Sequence, residues 1–289
     1  MPKVFVGSAI WRSVNALQFK SLLRLLRDPQ YGFFPQVGDS LLERARGMSA
    51  TYFLRHTDAE VHLSLDSDIV EFKKEAIDQM CEQAVEYGIV GAAYICRSVA
   101  RTFPASFFEN EQSIEFAHDP TPQKIKWIAT GCVAVHRRVF EAVAKTLPLL
   151  HEKDGERAFY PFYQTMIYDE PEVGKILLSE DFAFSERAKA AGFPPYINPT
   201  VRVGHVGPYV HRLEDMAQEM LAPQPIRITR AGRYWHVECE GTAETPEAMG
   251  RITPGKGDEI RERFEQLNGR GERRRKEKQE KKALTTANP

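Results

Sequence analysis

A chain of 289 residues is long enough to bury a full-sized core, and its 42% apolar and 27% charged residues are typical of a globular protein. No apolar run approaches the roughly 20 residues that a membrane-spanning helix needs, so the chain is not expected to span a bilayer. It also lacks a signal-peptide pattern, and its four cysteines show no C-x-x-C spacing that would indicate a zinc site. These features predict a reduced, cytoplasmic protein.

The net charge of −1 is unevenly distributed. Residues 270–282 hold eight Lys or Arg against three Glu, a net charge of +5, which leaves −6 on the rest of the chain. An acidic body with a basic tail suggests a nucleic acid or another polyanion as a partner. A solvated tail that aids solubility is the simpler interpretation.

Strand-like and helix-like periods alternate through the first two-thirds of the chain. The patterns predict strands over 4–10, 61–65, 89–96 and 127–135, and helices over 13–27, 39–50 and 71–87. The last helix is expected to end at Gly88, because glycine is typical of helix C-termini. This alternation predicts an α/β fold with a mostly parallel mixed sheet flanked by helices.

The character of the chain changes beyond His211. Pro223 and Pro225 mark a linker, and two β-rich runs around an Ala-Gly turn predict a β-hairpin at about 226–239. A polar helix is expected at about 257–267, followed by a basic tail over 270–289. We therefore expect one domain over 1–220 and a small appendage over 221–289.

The segment 61–69 is an apolar strand that ends in Asp66-Ser67-Asp68. Ligands bind open α/β sheets at the carboxyl ends of strands. Side chains two apart in a strand point the same way, so both carboxylates can face one crevice. Mg²⁺-type ions commonly lie between one or two carboxylates and substrate phosphates. The segment therefore indicates a metal and nucleotide site, although an Asp-rich turn that caps a helix would look the same.

Ser179-Glu180-Asp181 opens a predicted helix that ends at Gly192. Ser179 suits an N-cap, and acidic residues suit the first turn of a helix, so a purely structural role is the simpler interpretation. The functional interpretation makes Asp181 a general base. A helix N-terminus lowers the pKa of a carboxylate, so that role requires burial or a nearby phosphate to restore basicity.

His205 lies between Gly204 and Gly207 at the end of a predicted strand. A histidine flanked by glycines can approach a ligand closely, and a neutral imidazole is a ligand for Mn²⁺-type ions. A single histidine in such a position is more often structural. His205 gains significance only from the other segments.

Four segments occur in order along the chain, at 63–69, 129–140, 178–187 and 198–207. Together they resemble the GT-A-fold glycosyltransferases of the large family-2-like group, especially the small members encoded by phages and bacteria. The similarity covers about residues 3–210. It implies a Rossmann-like GT-A domain and an enzyme that moves a sugar from a nucleotide diphosphate to a hydroxyl group.

The resemblance also implies roles for individual residues. Asp66 and Asp68 match the D-x-D pair that contacts the ribose and diphosphate of the donor and binds the metal, with Asp68 the firmer ligand. His205 matches the histidine that completes the metal site in many members. Asp181 matches the acidic residue that faces the acceptor, which is the base if the enzyme inverts. Gly131 lies in the segment that lines the crevice for donor sugar and acceptor.

The segment 38–46 resembles the one that often places an arginine near the nucleotide. Arg44 or Arg46 would then counter phosphate charge. An exposed arginine on a helix face is an equally good interpretation. The segment around Asp181 departs from the family, because Phe182 and Phe184 occupy a region where a tryptophan is common, so sugar and acceptor preferences are not transferred.

The implied cofactors are Mn²⁺ or Mg²⁺, with a UDP-sugar as the favoured donor. The implied location is a bacterial cytoplasm, or a host cytoplasm for a phage protein. The basic tail and the aromatic pair Tyr234 and Trp235 make a hydroxylated base in DNA one candidate acceptor; a glycan or a lipid-linked acceptor stays open. Inversion at the anomeric carbon is the expected outcome.

Two other functions remain open from the sequence. A nucleotidyltransferase would share the sheet, metal and carboxylates, but the first strand lacks a Gly-rich phosphate loop followed by a lysine. A non-catalytic nucleic-acid-binding protein would depend on the hairpin and the basic tail alone. The sugar, the oligomeric state and any role of Trp11 in stacking on a nucleotide base are not determined by the sequence.

Overall fold

The computed structural model describes residues 1–97, 102–108, 113–153, 155–171, 173–207, 210–213, 226–231 and 234–239. In this part of the chain the helices are α1 (Ala16–Leu25), α2 (Leu42–His56), α3 (Lys74–Tyr87), α4 (Arg137–Ala144) and α5 (Glu180–Ala190). None of them has the length and apolar character that crossing a bilayer requires.

The first ten strands are β1 (Val4–Ile10), β2 (Tyr31–Val37), β3 (Val61–Leu65), β4 (Ile69–Val70), β5 (Ile89–Ala93), β6 (Ala105–Ser106), β7 (Ser113–Phe116), β8 (Gln123–Lys124), β9 (Trp127–Ile128) and β10 (Cys132–His136). The remaining strands are β11 (Leu150–His151), β12 (Ala158–Phe159), β13 (Met166–Glu170), β14 (Gly174–Leu178), β15 (Tyr196–Arg202), β16 (Gly204–Val206), β17 (Val210–His211), β18 (Ile226–Ala231) and β19 (Tyr234–Cys239).

The central sheet has seven strands in the order β2-β1-β3-β10-β5-β15-β8. Strand β1 is parallel to β2 and β3, and β15 is parallel to β5. Strand β10 is antiparallel to both of its neighbours, and β8 is antiparallel to β15. The predicted α/β class with a large mixed sheet is therefore confirmed. Five of the seven strands (β1, β2, β3, β5 and β15) run in the same direction, and β10 and β8 run in the opposite one, so most strands are parallel although half of the pairings are antiparallel.

Helices cover both faces of this sheet. Leu22 and Leu25 of α1 and Ile77 of α3 belong to one apolar cluster, whereas Phe53 of α2 and Phe140 of α4 belong to the other. Strand β3 is buried along its whole length because it lies between β1 and β10 and is covered on both faces. Its sequence alternates between apolar and polar residues, but both sets are buried: Val61, Leu63 and Leu65 belong to one apolar cluster, whereas His62 packs against Phe53 and Phe140.

The observed elements agree with most of the predicted ones. Strands β1 and β3 have the predicted bounds, and α1 and α3 lie within the predicted helical segments. Helix α2 begins within the predicted segment 39–50 but continues to His56. The predicted strand over 127–135 is instead two strands in different sheets, β9 paired with β6 and β10 in the central sheet. The N–H of Asp66 donates to the Gly131 carbonyl at 2.8 Å, one pair beyond Cys132 and Leu65, so the change of sheet falls between Ile128 and Gly131.

The predicted hairpin is present as β18 and β19. Strand β18 also pairs with β7, so the hairpin extends a small sheet with a strand from the first half of the chain, whereas the sequence alone assigns it to an appendage. All of the described residues belong to one compact unit, Met1–Gly250. The predicted boundary at 220, the polar helix over 257–267 and the basic tail over 270–289 lie outside the described residues.

His62 of β3 is a titratable side chain in the core, so we expect the stability of the protein to decrease in acid. Its ring lies against Phe53 and Phe140, and Nε2 is 3.1 Å from the Ser49 hydroxyl. Burial lowers the pKa of His62 to about 3. Below a pH of about 6.5, the ordinary pKa of histidine, His62 is protonated in the unfolded chain but stays neutral in the folded chain. The free energy of unfolding therefore falls as the pH falls from 6.5 towards 3.

Between pH 7 and pH 5 we expect His62 to lower the free energy of unfolding by about 2 kcal/mol. Urea denaturation of the wild type and of His62→Gln at both pH values measures this contribution, because glutamine does not titrate. Equal losses of stability in the two proteins would contradict the assignment.

Candidate functional site

The two aspartates of the D-x-D segment lie in the turn between β3 and β4. The N–H of Asp66 donates to the Gly131 carbonyl at 2.8 Å, and the Asp66 carbonyl accepts from Gln18 Nε2 of α1 at 2.7 Å. The position of the turn therefore depends on the segment that leads into β10 and on α1.

A cleft of about 420 Å³ opens at this turn. It lies beside the carboxyl ends of β1 and β3, the place where open α/β sheets bind ligands. Trp11, which follows β1, is half exposed in it. The residues that line the cleft are Ala9, Ile10, Trp11, Asp39, Ser40, Leu42, Asp66, Ser67, Asp68 and Arg97.

Arg46 of α2 contacts two acidic segments, the D-x-D turn and the start of α5. Its guanidinium donates to Asp66 Oδ2 and to Glu180 Oε1, each at 2.6 Å, and its side chain is only 6% exposed. Burial alone would lower the pKa of Arg46, but the charges of Asp66 and Glu180 raise it overall. Burial raises the pKa of Asp66, which Arg46 opposes. The D-x-D turn and the start of α5 are thus joined through one buried cation.

Asp68 interacts with two basic side chains. Arg97 Nη1 is 2.6 Å from Asp68 Oδ2, and His205 Nε2 is 3.5 Å from the same oxygen. Burial alone would raise the pKa of Asp68, but His205 and Arg97 lower it overall. The carboxylate is therefore ionised at neutral pH and lies where the cleft opens.

His205 reaches Asp68 because β16 pairs with β4, which places His205 opposite Ile69. Gly204 permits this approach, since a Cβ there would come within 2.7 Å of Val210 and 3.0 Å of Val70. The His205 Nδ1 atom lies 2.9 Å from the Ile95 carbonyl. Burial alone would lower the pKa of His205, but Asp68 and that carbonyl raise it overall. Both ring nitrogens therefore face oxygen acceptors.

Asp66, Asp68 and His205 are the predicted metal ligands. The structure brings Asp68 and His205 together and pairs Asp66 with Arg46. Among the described residues, no three His, Cys, Asp or Glu side chains are grouped closely enough to form a metal site by themselves.

Asp181 lies in the first turn of α5. The Ser179 hydroxyl donates to its Oδ1, which also accepts the N–H of Phe182 at 2.8 Å. Burial, and then the charge of Glu180, raise the pKa of Asp181 against the opposing effects of Ser179 and Arg46. Asp181 therefore has the burial that a general base at a helix N-terminus requires to restore its basicity.

Gly131 lies between Tyr94 and Asp66. Its N–H donates to the Tyr94 hydroxyl at 3.1 Å, and a Cβ at this position would come within 2.6 Å of that hydroxyl. Tyr94 is buried, and the charges of Asp66 and Asp181 both contribute to raising its pKa after burial itself. Asp66, Asp181 and Gly131 therefore all lie near the Tyr94 phenol.

The two arginines predicted near the nucleotide differ in their contacts. Arg44 donates to both oxygens of Asp39, at 2.7 and 2.9 Å, and lines a separate cavity with Glu152 and Arg157. Arg46 contacts Asp66 directly. The segment 38–46 therefore reaches the cleft through Asp39 and the D-x-D turn through Arg46.

Sequence reasoning did not identify Arg97 or the pairing role of Glu180. Arg97 follows β5, whose carboxyl end lies at the same edge of the sheet as that of β3 because both strands are antiparallel to β10. A basic residue just after β5 indicates a contact with Asp68 only when the order of the strands in the sheet is known. Glu180 could be recognised only as a cap of α5.

No protein-family model matches this sequence, and no curated protein matches it either. Among solved structures, the chain is similar to A197 from STIV, with 12% sequence identity and a TM-score of 0.46. That similarity covers 84% of this chain and 97% of the other. A likeness of this size carries no argument about function.

Proposed function

We propose that residues of the cleft and of the start of α5 form the active site of a GT-A-type glycosyltransferase, which moves a sugar from a nucleotide-diphosphate sugar to a hydroxyl acceptor. One observation supports this function above all. The D-x-D turn lines a cleft at the strand ends, and Asp68 in that turn contacts Arg97 and lies 3.5 Å from His205. The buried Arg46 connects the same turn to α5, the helix that carries Asp181.

The cleft suits the nucleotide end of such a donor. Trp11 offers an exposed aromatic face for a base, and Ser40 offers a hydroxyl for the ribose, whereas the Asp39 carboxylate already accepts from Arg44. Arg97 is 55% exposed, so it can leave Asp68 and bind diphosphate oxygens in a charge-assisted contact. Asp66, held by Arg46, is the proposed contact for the ribose and diphosphate.

Asp68 and His205 are the residues proposed to hold Mn²⁺ or Mg²⁺. A neutral imidazole has only one N–H. If Nδ1 of His205 donates it to the Ile95 carbonyl, the lone pair of Nε2 faces the Asp68 carboxylate, so a cation is needed between Nε2 and Asp68. A proton or a metal ion meets this need. Two protein ligands with phosphate oxygens and waters suit Mg²⁺-type ions. When bound, the ion would neutralise charge that develops on the departing diphosphate.

Asp181 is the proposed general base. Its carboxylate accepts the proton of the acceptor hydroxyl while the hydroxyl oxygen bonds to the anomeric carbon. The bond from that carbon to the β-phosphate oxygen breaks, and the nucleoside diphosphate leaves with the electron pair. Attack from the face opposite the leaving group inverts the anomeric carbon, so a product with the anomeric configuration of the donor would exclude this role.

Release of nucleoside diphosphate from UDP-, GDP- and dTDP-sugars tests the proposal, with Mn²⁺ or EDTA present. We expect metal-dependent release from one donor, reduced at least tenfold in Asp68→Ala because the variant lacks the proposed ligand. Asp169→Ala is a matched control, since Asp169 is exposed on β13. No release from any donor, with no donor binding by calorimetry, would overturn the proposal.

The same assay separates the two other functions. With nucleoside triphosphates added to the panel, a nucleotidyltransferase would release pyrophosphate, because it transfers the nucleoside monophosphate part of a triphosphate. A non-catalytic nucleic-acid-binding protein would release neither, and would lose its function on removal of residues 270–289 while tolerating Asp68→Ala. The acceptor is then sought among hydroxylated DNA bases, glycans and lipid-linked sugars.

A further inference from the structure

The solvent side of α1 combines apolar and basic residues that the proposed catalysis does not use. The buried face consists of Gln18, Ser21, Leu22 and Leu25. On the opposite side, Phe19 and Leu23 are 54% and 48% exposed and lie one turn apart. We call the exposed residues Phe19, Lys20, Leu23, Arg24 and Arg27 the outer face of α1.

The charge around this face has one sign. Residues 1–27 contain five Lys or Arg and no Asp or Glu, although the whole chain has a net charge of −1. Asp28 is four positions after Arg24, but it lies beyond the end of the helix and pairs with Lys74 at 2.9 Å. Lys20 and Arg24, one turn apart on α1, and Arg27, two residues past its end, form a basic stripe beside the apolar pair.

Leucine and phenylalanine beside lysine and arginine on one exposed helix face are typical of helices that lie in a membrane interface. The apolar side chains enter the boundary between headgroups and acyl chains, and the basic ones contact anionic headgroups. We propose that the outer face of α1 binds an anionic lipid surface. This binding is peripheral and does not depend on the proposed transferase activity.

Charge complementarity favours a lipid surface over the other partners. A symmetric contact between two copies would bring the two basic stripes together, and like charges in contact are destabilising. A nucleic acid would use Lys20, Arg24 and Arg27 but would gain little from Phe19 and Leu23 beside its phosphates. An anionic membrane uses both sets.

Binding through this face would place the cleft near the membrane. Gln18, on the buried side of α1, donates to the Asp66 carbonyl of the D-x-D turn. The width of an α-helix with its side chains is about 10 Å, so the turn would lie roughly that far from the headgroups. The membrane surface would thereby be close to the catalytic edge of the sheet.

Flotation of the full-length protein with vesicles tests the proposal. We expect binding to vesicles of phosphatidylcholine mixed with phosphatidylserine, weak binding to phosphatidylcholine alone, and a loss of binding at high salt. Lys20→Glu with Arg24→Glu should weaken binding roughly 30-fold or more. Phe19→Ser with Leu23→Ser should weaken it at least roughly tenfold, because apolar area no longer enters the interface.

Lys153→Glu with Lys175→Glu is the matched control, since it changes the net charge equally at exposed positions elsewhere. Equal binding by all variants would assign the lipid affinity to other basic residues, such as those of 270–282, and overturn the proposal. So would a dimer that the Phe19 and Leu23 changes dissociate, or duplex DNA binding that only the charge reversals weaken. Circular dichroism of each variant establishes that it is folded.

Discussion

Replacement of Arg46 by methionine is expected to lower the free energy of unfolding by about 3–5 kcal/mol. The reason is that Asp66 and Glu180 share this one buried guanidinium, and its removal leaves two carboxylates without their counter-charge. Methionine fills a similar volume, so the loss reports charge more than packing. Urea denaturation measures the change at neutral pH.

Arg212→Met is the matched control for this prediction. Arg212 also makes a two-pronged pair, with Glu71 at 2.7 and 2.8 Å, but both side chains are substantially exposed. Its replacement should cost about 1 kcal/mol or less. Similar losses in the two variants would show that burial of the Arg46 pair is not what makes it stabilising. The Arg46→Met loss should shrink in acid, since the freed carboxylates can then be protonated.

Asp181→Asn is expected to lower turnover roughly 100- to 10,000-fold, which is the usual contribution of a general base. Asparagine keeps the size of the side chain but cannot accept the proton of the attacking hydroxyl or water. Nucleoside diphosphate release from the active donor measures the effect even without the natural acceptor, because water then attacks. Donor affinity should change little, since Asp181 is assigned to the acceptor side. Asp169→Asn is the exposed control.

The pH profile gives this prediction a second readout. The Ser179 hydroxyl donates to Asp181 and lowers its pKa, so Ser179→Ala should raise that pKa further. A base must be deprotonated to act, and the acid limb of kcat/KM should therefore move to higher pH in the variant. A limb that stays in place, with Asp181→Asn fully active, would remove Asp181 from the mechanism.

The sequence was sufficient for elements whose signals are local. The bounds of β1 and β3 follow from short runs of β-forming residues, and α3 ends at Gly88, whose φ of 90° suits glycine. Strand β2 was not predicted, because Gly32 and Pro35 interrupt its apolar pattern and it pairs with β1 alone. The segment 129–131 was predicted as strand because the break between β9 and β10 depends on their different partners, β6 and β3, and not on a local pattern.

The site shows the same division. Asp66, Asp68 and Asp181 could be identified from their segments, because each follows a recognisable strand or begins a recognisable helix. Arg46 contacts Asp66, which is 20 positions away in the sequence, and Glu180, which is 134 positions away. No local pattern encodes these contacts. Arg97 became a candidate only once β5 was placed beside β10.

The antiparallel strand β10 has a consequence for the order in which the protein folds. Strands β3 and β5 are not neighbours; each pairs with β10, which arrives about 40 to 70 residues later in the chain. During synthesis, the edges of β3 and β5 that pair with β10 therefore stay unpaired until β10 has been made. Unpaired edges can pair with strands of other chains. Closure of the sheet by β10 also brings Gly131 to the backbone of Asp66, so assembly of the cleft and protection of these edges occur in one late step.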